Sequence, residues 1–318
     1  MNIPSDPIPA ICLYGPTASG KTDLAIELSR QFGCDIISVD SALVYRGLDI
    51  GTAKPDAETL AQWPHRLVDV ADAWQPFSVS DFCTEAACAI RDSAAAGRVP
   101  VLVGGTMLYF RALLNGLNAL PAADPSIRSA LASRLESEGL DALRRELAQV
   151  DPALDARLAA NDRQRTLRGL EVWHGSGRSL SDWQQSPAVP LIPIRPLELT
   201  LWPEPRTALH QLIETRFDAM LGAGFLDEVA AFRDDERMHA ELPSMRSVGY
   251  RQAWQHLDGD CDFAEFRARA IAATRQLAKR QFTWLRQYPD AARLNPYQPL
   301  AGEHPFVQRV GEWLETVK

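Results

Sequence analysis

The feature that most constrains this chain is the run Gly15-Pro16-Thr17-Ala18-Ser19-Gly20-Lys21-Thr22, which satisfies the spacing GxxxxGK[ST]. The apolar run from Ala10 to Tyr14 precedes it and reads as a buried strand; Leu24, Ile26, Leu28 and Phe32 follow at helical spacing. Glycines let such a loop curl so that successive N–H groups and the helix N-terminus converge on one anion. Lys21 adds a point charge, and the Thr22 hydroxyl can ligate Mg²⁺. All eight residues therefore form a predicted diphosphate site, but the loop alone does not say whether the diphosphate belongs to a nucleoside triphosphate or to another leaving group.

Further along, Cys34 to Asp40 and His65 to Val70 read as strands, and Ser78 with Asp81 reads as a capping box opening a helix that Gly97 stops. Val99 to Val103 is a strand running into Gly104, Gly105, Thr106 and a helix to Asn115. Alternating strands and helices predict an α/β fold, a P-loop NTPase-like core whose mostly parallel sheet carries helices on both faces. Residues 122–190 break this pattern. They are charged and helix-forming from Asp124 to about Trp173, then loop-like from Gly175 to Pro196, and predict a helical insertion domain between core segments 1–121 and 191–318. Leu197 to Trp202 restores a strand; Arg206 to Leu221 and Ala264 to Arg286 are helices.

Composition narrows the function. A formal charge of −8 argues against a protein that coats nucleic acid indiscriminately. No apolar run is long enough to cross a bilayer and no signal peptide opens the chain, so the expected location is cytoplasmic. Cys12, Cys34, Cys83, Cys88 and Cys261 lack zinc or redox spacing and read as reduced, structural thiols. His65 and His210 have no metal-ligand spacing around them and read as core or surface residues.

Asp40 ends the second strand, which puts it near the loop at the carboxyl edge of the sheet. It can serve Mg²⁺ or an acceptor hydroxyl, or it can be a turn residue; Thr17 is open in the same way, between a turn role and a hydrogen bond to an acceptor.

Together with the loop, the blocks Asp40-Ser41-Ala42-Leu43-Val44-Tyr45, Asp49-Ile50-Gly51-Thr52-Ala53-Lys54-Pro55, Gly104-Gly105-Thr106-Met107-Leu108-Tyr109, Asn161-Asp162-Arg163-Gln164-Arg165, Arg246-Ser247-Val248-Gly249-Tyr250-Arg251 and Thr274-Arg275-Gln276-Leu277-Ala278-Lys279-Arg280-Gln281 closely resemble the bacterial tRNA dimethylallyltransferase family. The resemblance implies transfer of a dimethylallyl group from dimethylallyl diphosphate to N6 of the adenosine just 3′ of the anticodon, with Mg²⁺ as cofactor. It assigns the loop to the prenyl diphosphate, the metal to Thr22, and catalysis to Asp40 as base, Thr17 as orienting group and Arg216 as neutraliser of the leaving group. It also assigns tRNA contacts to Asp40, Ser41, Ala42, Leu43, Thr106, Arg128, Gln164, Arg165, Thr166, Leu167, Arg168, Arg246, Ser247, Val248, Gly249, Tyr250, Arg251, Lys279, Arg280, Gln281, Phe282, Thr283, Trp284, Leu285 and Arg286. The expected partners are tRNA and dimethylallyl diphosphate, with no membrane, and the expected state is a monomer.

The residues themselves add a local basic stretch. Arg267 to Arg286 carries six Lys and Arg and no Asp or Glu, and on a helix Arg275 and Lys279 share a face while Ile271, Ala278 and Leu285 turn inward. That face predicts a phosphate-binding ridge. Trp284 beside it reads as packing more than as a stacking platform. Three rivals remain at this point: a prenyltransferase acting on free adenine nucleotides, a small-molecule kinase, and a non-catalytic RNA chaperone. The insertion with Gln164 to Arg168 favours tRNA over the first, no lid-like arginine cluster supports the second, and Asp40 with Thr17 weighs against the third.

Overall fold

The computed structural model describes residues 6–118, 120–121, 124–298 and 304–317. Six strands, β1 (Ile8–Tyr14), β2 (Asp35–Val39), β3 (His65–Arg66), β4 (Pro100–Gly104), β5 (Ile194–Leu201) and β6 (Ala292–Leu294), form one sheet in the order β3-β2-β4-β1-β5-β6. Every pairing in it is parallel. β1 therefore lies inside the sheet, and its carboxyl end, where the glycine loop begins, is flanked by the ends of β4 and β5.

In the first half of the chain the helices are α1 (Lys21–Phe32), α2 (Ala57–Gln62), α3 (Val79–Ala95), α4 (Met107–Asn115), α5 (Pro125–Glu138), α6 (Leu140–Val150) and α7 (Pro152–Asp155). In the second half they are α8 (Arg163–Ser176), α9 (Leu180–Gln185), α10 (Arg206–Gly222), α11 (Phe225–Arg233), α12 (Tyr250–Leu257), α13 (Phe263–Leu285) and α14 (Pro305–Glu315). The strand period of two sorts the sheet's side chains. Ile11 and Leu13 join Leu24 and Leu28 of α1 and Val307 and Val310 of α14 on one face. Cys12 and Tyr14 join Phe82 and Ile90 of α3 and Phe110 of α4 on the other. Both faces are covered, which is why β1 and β4 are apolar without alternation. The α3 capping box is present in full, with Ser78 accepting from the Asp81 N–H and Asp81 accepting from the Ser78 N–H. Losing such a cap costs about 1 kcal/mol.

The chain divides into two compact units, one made of Met1–Leu114 with Leu191–Lys318, the other of Asn115–Pro190. The second is a helical unit built on Leu131, Leu135, Leu143, Leu147, Leu154, Leu170, Val172 and Leu180. The expected opening of the insertion at 122 lies outside the described residues; the unit takes in earlier residues because Leu117 bridges Val189 and the Asn118 amide donates to the Ser186 carbonyl at 2.7 Å.

Other local expectations are corrected. The strand expected over 65–70 stops at Arg66, because Leu67 and Asp69 take positive φ values of 64° and 56°. The stretch 175–196 is not all loop: Ser179 caps α9 by accepting from the Asp182 N–H, and β5 already begins at Ile194. β6 carries no signal beyond three residues and is found only through its pairing with β5. Cys12, Cys34 and Cys83 are buried free thiols, whereas Cys88 is exposed and packs no core. Among the described residues no helix is long and apolar enough to cross a membrane.

Candidate active site

Two adjoining cavities of about 580 and 500 Å³ open at the carboxyl ends of β1, β2 and β4. The first is lined by Thr17 to Thr22, Thr52, Ala53, Pro55 and Arg216, with Leu212, Ile213, Phe217 and Met220 adding apolar surface. The second is lined by Ser41, Thr106, Tyr109, Arg246, Arg280 and Trp284. Asp40, Ala42, Gly105, Ser247, Val248, Leu277 and Gln281 line both. One volume is thus walled by the glycine loop, the other by basic and aromatic side chains, and Asp40 stands where they meet.

The loop's geometry follows from its residues. Gly20 takes a φ of 79° at the N-cap of α1 and no side chain caps that terminus, which leaves the first N–H groups of the helix without side-chain acceptors. Ala18 is also left-handed, with a φ of 61°, and its carbonyl accepts from the Tyr297 hydroxyl at 3.3 Å. The Ser19 hydroxyl is buried and has no partner among the described residues. Thr17 accepts from Arg216 Nη2 at 2.5 Å through its hydroxyl, and its N–H donates to Gln281 Oε1 at 2.9 Å.

Lys21 Nζ donates to the Pro16 carbonyl at 2.6 Å. Burial pulls its ammonium down to about 8; Asp40 opposes that shift and Arg216 adds to it. Burial likewise lowers the pKa of the Arg216 guanidinium, again with Asp40 opposing. Two desolvated cations share one carboxylate, an arrangement that gains most from a bound polyanion. The pH consequence has a definite sign. Below pH 8 the ammonium is already present; above it, the free protein has lost that proton and a diphosphate must bring one back in order to bind. Between about pH 7, where the phosphate's own ionisation near about 6 is complete, and pH 8, diphosphate affinity is therefore expected to be flat, and above pH 8 to weaken by up to about tenfold per pH unit. Titration calorimetry across that range checks this, and Lys21→Met should abolish the dependence.

Asp40 holds two roles at once. Its Oδ1 accepts from the Ala42 N–H at 2.8 Å and the Leu43 N–H at 3.4 Å, which makes it a turn residue. Its Oδ2 has no hydrogen-bond partner among the described residues. The same turn is tied to the β4–α4 loop by the Ser41 N–H, which donates to Thr106 Oγ1 at 3.0 Å. The loop Asp49 to Lys54 is clamped by Glu228, whose carboxylate accepts from the N–H groups of Asp49, Ile50 and Gly51 and from the Tyr250 hydroxyl. Glu228 and Gln281 were absent from the catalytic and diphosphate-site expectations. Gln281 had one signal in the sequence, a polar residue on the helix stripe shared with Ala278 and Leu285.

Of the residues assigned to RNA, several cannot serve as surface. Thr166, Gly249, Tyr250, Gln281, Phe282 and Leu285 are buried. Phe282 packs on Leu209 and Ile213, Leu285 sits in the sheet core, and the Thr166 hydroxyl donates to the Asp162 carbonyl at 2.7 Å. They support their exposed neighbours. The expected ridge is also thinner than its composition. Arg275 pairs with Glu214 at 3.0 Å, Arg267 with Asp218 at 2.6 Å and Arg269 with Glu265 at 2.5 Å. Lys279, Arg280 and Arg286 are exposed, without a carboxylate at ion-pair distance among the described residues. Thr283, Arg246 and Arg251 are exposed as well, while Ser247 and Val248 are half-buried. Trp284 is half-buried, packs against the sheet core and also lines the second cavity.

In the helical unit Gln164, Arg165 and Arg128 are exposed, and Leu167 and Arg168 are half-buried. The buried Glu171 carboxylate pairs with both Arg128 at 3.0 Å and Arg168 at 3.1 Å.

The strand order and the loop after β1 define a P-loop α/β enzyme. The family model described as IPP transferase matches residues 43–288, and one described as isopentenyl transferase matches residues 9–67. The chain is 53% identical over 302 residues to the tRNA dimethylallyltransferase of Stenotrophomonas maltophilia, covering 93% of this chain and 95% of that one. It is 53% identical over 288 residues to the protein of the same name from Thiobacillus denitrificans, covering 90% and 91%. Among solved structures, the full-length tRNA isopentenylpyrophosphate transferase from Bacillus halodurans matches with a TM-score of 0.70 and 30% identity, over 98% of this chain and 96% of that one. The chain belongs to the IPP transferase family.

Proposed function

We propose that the chain transfers a dimethylallyl group from dimethylallyl diphosphate to N6 of the adenosine just 3′ of the anticodon in tRNA, releasing diphosphate. The observation that carries this reading is the free Oδ2 of Asp40, at the meeting point of a cavity suited to a polyanion and a cavity rimmed by basic and aromatic residues. The donor's diphosphate lies on the N–H groups of the loop with Lys21 and Arg216, and its prenyl tail meets the apolar stripe of Leu212, Ile213, Phe217 and Met220.

Breaking the allylic C–O bond sends its electron pair to the diphosphate oxygen. Lys21, Arg216 and the Thr17 hydroxyl meet charge that is larger in the transition state than in the bound donor, so they accelerate the step and do not merely tighten binding. The Thr17 oxygen already accepts from Arg216, so its own proton is free to be donated. N6 is a poor nucleophile because its lone pair is delocalised into the ring. As the N6–carbon bond forms, the nitrogen sheds a proton, and Asp40 Oδ2 receives it.

Mg²⁺ fits the loop. Thr22 is exposed in the first cavity, and among the described residues there is no cluster of three or more His, Cys, Asp or Glu to hold a metal. A single hydroxyl beside a bound diphosphate would suit a cation that takes its other ligands from water and substrate phosphates. Bound there, Mg²⁺ would neutralise diphosphate charge, with Thr22 as its protein ligand.

The acceptor is an anticodon loop, whose bases can be splayed out and drawn into a pocket. Arg246, Arg280 and Trp284 at the second cavity offer phosphate and stacking contacts; Lys279, Arg286 and Arg251 extend them, and Gln164, Arg165, Arg128 and Arg168 provide contacts on the helical unit. Affinity for tRNA should fall steeply with salt. Replacing Lys279, Arg280 and Arg286 by Ala should lower the log–log slope by roughly one for each phosphate that is no longer neutralised, measured by filter binding. A salt-independent dissociation constant contradicts the reading. Its direct test is nuclease digestion and mass spectrometry of tRNA incubated with enzyme and donor. One added prenyl group on the adenine base 3′ of the anticodon is expected, and modification elsewhere or none refutes it.

A further inference from the structure

Gln281 is buried, although it lies in a stretch of exposed cations on α13. Its side-chain amide uses both ends. Oε1 accepts from the Thr17 N–H at 2.9 Å, and Nε2 donates to the Gly105 carbonyl at 3.0 Å. Thr17 in turn accepts from Arg216 at 2.5 Å. One hydrogen-bonded chain therefore runs from the β4–α4 loop through α13 to the glycine loop and on to α10, along the wall shared by the two cavities. The fit at Gly105 is close: a Cβ there would run into the Gln281 amide nitrogen and approach the Gly15 carbonyl. The next loop residue, Ala18, holds a left-handed backbone, a strained conformation that persists only where its surroundings over-determine it.

We propose that Gln281 is a positioning residue for the transfer reaction: its amide latches the glycine loop to the β4–α4 loop, fixes Thr17 against Arg216, and makes no contact with RNA. The proposal rests on the assignment of donor and acceptor cavities above. Tying the Thr17 N–H to Gln281 also removes it from the set available to a phosphate, so the anion is left to the N–H groups that follow it in the loop. Misplacing the Thr17 hydroxyl by about 1 Å relative to the allylic oxygen is enough to cost on the order of 10²-fold in rate.

Two substitutions test this. Gln281→Leu puts an apolar side chain one atom shorter in the same buried place and removes both hydrogen bonds. Gln281→Glu keeps the acceptor and regains a donor only when its carboxyl is protonated, since a neutral carboxyl carries one O–H donor and one acceptor oxygen. The readouts are single-turnover transfer at saturating donor and tRNA, tRNA dissociation constants, and hydrogen exchange of the Thr17 amide. The expected result is a roughly 10²-fold slower step in Q281L with unchanged tRNA affinity and loss of Thr17 protection. The rate of Q281E relative to wild type should climb as pH falls, while the Q281L ratio stays flat. Weaker tRNA binding with a wild-type saturated rate would make Gln281 an RNA contact and overturn the proposal; so would wild-type protection of Thr17 in Q281L. The exchange measurement needs no turnover, so it decides the latch even if the wild-type protein moves no prenyl group, an outcome that would instead refute the proposed function.

Discussion

Asp40→Asn is expected to slow transfer by roughly 10²- to 10⁴-fold, the range of a positioned base, while leaving tRNA affinity nearly intact. The substitution is informative because Asp40 has divided its two oxygens. The amide oxygen of Asn can still accept from the Ala42 N–H, which Oδ1 accepts at 2.8 Å, so the turn that carries Ser41, Ala42 and Leu43 survives. What disappears is the partnerless Oδ2 of a residue that lines both cavities. An effect on the saturated single-turnover rate without an effect on the tRNA dissociation constant assigns that oxygen to chemistry. Wild-type turnover in the variant would remove Asp40 from the mechanism.

Arg216→Gln is expected to lower the saturated rate by about 10²- to 10³-fold, the usual consequence of deleting one preorganised donor aimed at developing charge. Gln ends two atoms short of the Nη2 that donates to the Thr17 hydroxyl at 2.5 Å, so the substitution removes the guanidinium charge and that hydrogen bond together. Donor affinity should weaken as well, because one of the two half-buried cations lining the first cavity is gone, while tRNA affinity should not move. Rate and donor KM, measured separately with tRNA saturating, distinguish this from a loss confined to ground-state binding. A variant within threefold of wild type in both would show that Lys21 and the loop amides carry the leaving group alone.

Much of this site was legible before any fold was known, and the reason is local. A glycine loop between a strand and a helix, and a carboxylate at the end of the next strand, are specified by residues adjacent in sequence, and parallel strands bring their carboxyl ends to one edge. Arg216 and Gln281 reach the loop from far along the chain, so spacing could not place them. Resemblance pointed to Arg216; only packing revealed what Gln281 holds. The basic helix shows the opposite failure. Composition counted six cations on 267–286, but pairing depends on α10, whose Glu214 and Asp218 turn toward Arg275 and Arg267 and leave a smaller exposed set. Tyr250, Phe282 and Leu285 fail for a related reason: a contiguous stretch on a helix presents only part of itself to solvent, and the rest packs. The shortened β3 fell to two left-handed residues, Leu67 and Asp69, that no propensity announces.

The central claim is that the glycine loop holds a prenyl diphosphate and that Asp40 receives the proton of an adenine amino group in tRNA. Incubation with dimethylallyl diphosphate labelled in the prenyl group, in parallel with unmodified tRNA, AMP and ATP, tests it most directly, with Mg²⁺ present or withheld. The expected result is label on tRNA alone, dependent on Mg²⁺ and abolished in Asp40→Asn, with no ATP turnover. Label on AMP only, or ATP turnover without label transfer, would contradict it.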